Sequence, residues 1–186
     1  MFGEMYIQPK AFKQPAVVLV NHSSFYDGLV VFELIRKGYL PQNAVAVMDE
    51  GGQQSMPLFQ HIGTIPVSQP MKLSEYKDML KAMAHDTLVI FPQGMERHVE
   101  QRPMQLQNGI EGLLKKYPAH HVVCLSIYYT VSSHVRAELA CKMDVLRAEH
   151  RPEKWSLRDI ETWMTGCLDE LKTDVLRGDF ERYVRL

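Results

Sequence analysis

Short apolar runs of strand character, separated by stretches of helical period, constrain this chain more than any other feature. The runs are Ala16–Val20, Ala44–Met48, Thr64–Val67, Thr87–Phe91 and His121–Tyr129. They are short, and the first is β-branched and continuous, so they read as buried strands. Ser23 or Ser24 can cap a following helix, with Leu29, Val30, Phe32 and Leu34 on its apolar side and Gly38 and Pro41 ending it. A short helix is expected over Met56–Ile62, closed by Gly63. Leu73–Met83 has helical spacing, with Leu73, Tyr76, Leu80 and Met83 on one side. A further helix is expected over Gly109–Tyr117 and a further strand over Val135–Val145. From Ser156 to about residue 184 the pattern is one amphipathic helix. Ile160, Trp163, Met164, Cys167, Leu168, Leu171, Val175 and Leu176 form its apolar stripe. That stripe is read as core or dimer contact, because a membrane-surface helix is usually rich in Lys and Arg.

The alternation predicts an α/β fold. The expected architecture is one domain over residues 1–186, a mixed, mostly parallel sheet flanked by helices. The length, 186 residues, suffices for one full core. A net charge of -1 gives no bulk attraction to nucleic acid. Three widely spaced cysteines, Cys124, Cys141 and Cys167, suit a reduced cytoplasmic compartment better than a disulfide scaffold. No signal peptide is expected, and no apolar run approaches the roughly 20 residues that span a bilayer. Membrane contact is therefore expected to be peripheral, on the cytoplasmic face.

In open α/β sheets, sites gather beyond the carboxyl ends of strands. Two predicted strands end in unusual residues. After Val20 the chain reads Asn21-His22-Ser23-Ser24-Phe25-Tyr26-Asp27. Asp27 can fold back on the His22 ring, fix its tautomer and leave the other nitrogen as a general base. A capping serine with an acid in the first turn and an incidental histidine accounts for the same letters. After Ile90 the chain reads Phe91-Pro92-Gln93-Gly94-Met95-Glu96-Arg97-His98. Gly94 permits a close backbone approach, its loop N–H groups can hold an oxyanion, and Arg97 can pair with a phosphate. A plain turn with a solvated arginine is the alternative.

Taken in order, these stretches resemble the glycerolipid (lysophosphatidic-acid and lysophospholipid) acyltransferase superfamily. That family carries N-H-x-x-x-x-D early and F-P-E-G or F-P-Q-G about seventy residues later. Met48 to Val67 resembles its intervening block, Val122 to Ile127 a fourth, and Arg102-Pro103-Met104-Gln105-Leu106-Gln107-Asn108-Gly109 the continuation of its F-P-Q-G branch. The resemblance covers about residues 15–130. It implies transfer of an acyl group from coenzyme A or acyl carrier protein to a lipid hydroxyl, with no cofactor and no covalent acyl-enzyme. His22 would be the base and Asp27 its orienting partner. Asn21, Phe91, Pro92, Gln93, Gly94 and Arg97 are the candidate substrate-binding residues; of these Asn21 is expected to shape the turn, and its amide could also hold a ligand.

The departures also carry expectations. Met95-Glu96 stands where the family has Thr-Arg, and Ser68-Gln69 where it often has Asp-Arg. A less anionic acceptor, such as a glycolipid sugar, is therefore expected. Among the residues before Asn21, the candidate membrane contacts are Phe2, Met5, Tyr6, Ile7 and Phe12. A thioesterase using water as acceptor and a non-catalytic lipid- or acyl-carrier-binding module are the rival readings. His61, His85, His98, His120, His121, His134 and His150 fit no metal-ligand spacing, so no metal is expected. The eleven methionines suit an adaptable core or an acyl groove.

Overall fold

The computed structural model describes residues 3–55, 63–131 and 136–186. Among these, eight strands form one sheet: β1 (Met5–Gln8), β2 (Ala16–Val20), β3 (Ala44–Asp49), β4 (Thr64–Val67), β5 (Thr87–Ile90), β6 (His121–Thr130), β7 (Glu138–Leu146) and β8 (Val184–Arg185). Five helices accompany them: α1 (Asp27–Arg36), α2 (Glu50–Ser55), α3 (Leu73–Met83), α4 (Ile110–Lys116) and α5 (Leu157–Arg177). The spatial order is β4-β3-β5-β2-β6-β7-β1-β8. The first five run parallel, β7 is antiparallel to β6, β1 parallel to β7 and β8 antiparallel to β1. The α/β architecture is the expected one, with α5 as the long C-terminal helix.

β2 is central, between β5 and β6. All five of its residues are buried, as an inner parallel strand covered on both faces requires. Val17 and Leu19 join the core under α3, α4 and α5, with Met79, Met83, Leu113, Ile160 and Met164. Val18 and Val20 point the other way, into a core with Val30, Val31 and Leu34 of α1. α1 thus buries Val30, Val31 and Leu34, while the expected Leu29 and Phe32 are only half-buried. On α3, Met79 and Met83 are buried and the expected Leu73 is exposed.

Several boundaries differ from expectation. α1 begins at Asp27, because Ser23 and Ser24 form a turn instead of a helical start. α5 stops at Arg177, well short of residue 184. Gly178 adopts φ +66 there and caps the helix with a left-handed turn. The chain then returns to the sheet edge as β8, where Arg185 pairs with Glu4 at 2.8 Å and Tyr183 donates to Asp174 Oδ2 at 2.7 Å. α5 serves the core: Ile160, Met164, Cys167, Leu168 and Leu171 are buried, and Leu176 is exposed. The strand expected at Val135–Val145 is described from Glu138; Val135 and the helix expected over Met56–Ile62 lie outside the described residues.

β1 was not expected. It pairs with β7, and Ile7 is fully buried in the core. Met5 and Phe12 pack on the same core, and Tyr6 stacks on Phe180 at 4.6 Å between ring centroids. Full burial removes Ile7 from the candidate membrane contacts, while Met5, Tyr6 and Phe12 are half-buried against the fold. Phe2 lies outside the described residues. No described helix is long and apolar enough to cross a membrane.

Candidate active site

The chain leaves β2 through Asn21. Its carboxamide accepts from Ile127 N at 2.7 Å and donates to Ile127 O at 2.9 Å, both on β6. One side chain thereby extends the β2–β6 ladder after the backbone has turned away. Asn21 builds the turn, as expected, but its amide is buried and does not line the cavity described below, so the further expectation of a ligand contact is corrected.

Gln93 ties the second loop to the first. Its Oε1 accepts from His22 N at 2.6 Å and its Nε2 donates to Met104 O at 3.2 Å. A glutamate could take the first bond but could not donate the second. Gln93 is buried, so its role is to fix the His22 backbone, and the expected contact with substrate is corrected accordingly. Arg97 N donates to His22 O at 2.8 Å and completes the clamp.

The His22 side chain is held as tightly. Its Nδ1 lies 2.9 Å from Asp27 Oδ2. The same carboxylate oxygen accepts from Ser23 N at 2.7 Å and Ser24 N at 2.9 Å. Tyr129 Oη donates to Asp27 Oδ1 at 2.5 Å. Asp27 is fully buried and still meets four donors, so a proton on Nδ1 fits the set and Nε2 becomes the acceptor nitrogen. The Phe91 ring sits 4.7 Å from the imidazole, tilted by 42°. Tyr129 was missed in the sequence, although it ends the predicted strand at the carboxyl edge where site residues gather. Burial first, and then the adjacent Asp27 carboxylate, push its hydroxyl far above the ordinary phenol range, so it remains a donor at neutral pH.

His22 lines a cavity of about 720 Å³ at the carboxyl ends of β2, β3, β4 and β5. The walls are mainly apolar: Val47, Val67, Met79, Ile90 and Leu113 are among them. That size and character suit a small-molecule site. Of the expected binding residues, Phe91, Pro92 and Gly94 also line it. Gly94 has φ +70, and a Cβ there would lie 2.9 Å from Gln107 Cγ, so the position needs glycine. Its N–H donates to Phe91 O and is not free for a ligand. The N–H groups of Met95 and Glu96, which line the cavity, have no partner among the described residues.

Arg97 is the further correction. Its side chain lines a small gap behind His22, with Asn21, Ser23 and Gln93, and not the main cavity. No group of His, Cys, Asp or Glu among the described residues is arranged to hold a metal ion. No protein-family model, curated protein or solved structure matches the chain.

Proposed function

We propose that this protein moves an acyl group from an acyl thioester, on coenzyme A or acyl carrier protein, to a lipid hydroxyl. One observation carries the reading: an imidazole held at Nδ1 by a fully buried aspartate opens onto an apolar cavity of about 720 Å³. Nε2 takes the hydroxyl proton as the oxygen attacks the thioester carbonyl. The free N–H groups of Met95 and Glu96 receive the developing oxyanion. Collapse breaks the C–S bond, and the thiolate leaves with the proton from His22. No acyl-enzyme is needed: Ser23 Oγ is buried and absent from the cavity lining, and Ser24 Oγ accepts from Tyr26 N at 3.2 Å.

The test follows labelled acyl groups from acyl-CoA and from acyl carrier protein in a mixed lipid extract. Label in a lipid ester is the expected result. Label in free fatty acid would identify a thioesterase. No thiol release from either donor would leave a binding module.

The reading also places the lipid contact. Leu73, Met95 and Phe25 are 70%, 51% and 50% exposed, Met71 is exposed beside them, and all four line the cavity. Tyr26 packs edge-on against Phe25. Large apolar side chains gathered in this way mark an interaction face, and Lys72 stands between Met71 and Leu73. A bilayer surface here would let an alkyl chain enter without crossing water. Leu73→Asp with Met95→Asp is expected to cut co-sedimentation with phosphatidylcholine vesicles several-fold. Leu176→Asp, on the exposed side of α5, should leave it unchanged. Equal loss in both variants would remove this face from the proposal.

A further inference from the structure

Two carboxylates, Asp49 and Glu96, line the cavity together with the amides of Gln69, Gln107 and Asn108, and Asp49 already accepts from Gly52 N at 3.0 Å. Among the described lining residues the one ammonium, Lys72, lies 3.6 Å from Glu75 Oε1 and is thereby partly neutralised. Arg97 does not line the cavity.

Hydrogen bonding sharpens this picture. Gln69 Nε2 donates to Gly94 O at 3.1 Å, and Gln107 Nε2 donates to Gln93 O at 3.3 Å. Both bonds are to the loop that carries Gly94, one residue before the free N–H groups. Each leaves a carboxamide oxygen, Oε1, without a partner among the described residues. The Glu96 carboxylate also has no partner among them, and it sits next to Arg97, whose N–H holds His22 O. Apart from the backbone N–H groups of Met95 and Glu96 and the donors of Asn108 and Lys72, the free side-chain groups of this lining are therefore chiefly acceptors, and one is an anion.

A phosphate ester near neutral pH offers acceptor oxygens and negative charge, so it would meet like groups here. A hydroxyl offers a donor to each carboxylate or amide oxygen and an acceptor to the Asn108 amide. We infer that the acceptor carries an uncharged polyol headgroup, a sugar or glycerol with two or more free hydroxyls, held by Glu96, Gln69 and Gln107. The word acceptor rests on the acyl-transfer reading; the binding preference does not.

Binding is therefore measured first, without donor. Dodecyl glucoside and dodecyl phosphate share one chain, and their affinities for the protein are compared by calorimetry below micelle-forming concentrations at pH 7.5. The glucoside is expected to bind at least about tenfold tighter. Glu96→Lys is expected to reverse the order, with its melting temperature reporting the fold. Tighter or equal binding of the phosphate, no binding of the glucoside, or an unchanged order in a folded Glu96→Lys would each overturn the inference. Labelled acyl-CoA is then added. Preferred binding of the glucoside with no transfer to any acceptor would sink the acyl-transfer reading and leave the polyol site standing. Preferred transfer to a phosphate-bearing acceptor would do the reverse.

Discussion

His22→Ala is expected to lower kcat for acyl transfer by about 10²- to 10⁴-fold, the usual worth of a positioned general base. The expectation rests on what surrounds the ring. Its backbone N–H and C=O are clamped by Gln93 and Arg97, and its Nδ1 by Asp27. Removing the imidazole leaves that clamp in place. Asp27 keeps Ser23 N, Ser24 N and Tyr129 Oη as donors. The melting temperature should therefore move by only a few degrees, and a lost rate would reflect lost proton transfer. Thiol release and scanning calorimetry on the same preparation check both. A variant that keeps the wild-type rate would remove His22 from the chemistry.

Asp27→Ala is expected to act chiefly on the fold. It strands two backbone N–H groups and takes the carboxylate partner from the Tyr129 hydroxyl around a fully buried position. Removing one partner of a buried ionic network costs about 3–5 kcal/mol. For a chain of this size, that lowers the melting temperature by about 10 °C. Asp27→Asn separates stability from chemistry. Its carboxamide oxygen can still accept from Ser23 N, Ser24 N and His22 Nδ1, and its NH₂ can donate to the Tyr129 oxygen. Most of the stability should survive, while the anion that supports an imidazolium is gone. A kcat lower by about 10²-fold is expected, on the scale of losing one electrostatic partner of the reacting groups. Unchanged kcat in the Asn variant would confine Asp27 to a structural role. A native melting temperature in the Ala variant would deny it even that.

The parallel part of the sheet was legible because each strand carries its own signal. Ala16–Val20 is apolar throughout, as only an inner strand is, and Leu73–Met83 shows a 3.6-residue period. His22 and Asp27 were legible because they are five residues apart and the local turn alone brings them together. Tyr129 reaches the same carboxylate from 102 residues away, and nothing local announces it. The ligand contacts expected of the Asn21 and Gln93 amides came with the family resemblance, not with anything local. Only the β6 and Met104 backbones reveal that both amides are already engaged. β1 escaped notice for the same reason: its four residues acquire meaning only beside β7. The serines suggested an early helix, but their N–H groups face the Asp27 side chain, which holds the turn open. Gly178 was the readable sign of where α5 ends, and the stripe running on through Leu176 masked it.

The clamp around His22 has a consequence for how such a protein can diversify. The reacting nitrogen is anchored from β2, β5 and β6, through Asn21, Gln93 and Tyr129. Much of the cavity wall comes from elsewhere, from Val47–Asp49 at the end of β3 and from Val67–Leu73 between β4 and α3. Mutations that remodel that wall need not disturb the proton-transfer machinery. The His22 anchors and this part of the wall thus lie on separate stretches of chain, while the Phe91–Arg97 loop serves both. A lineage can exchange one ligand for another by altering the wall of β3 and the β4–α3 connection while selection holds the His22 anchors nearly still.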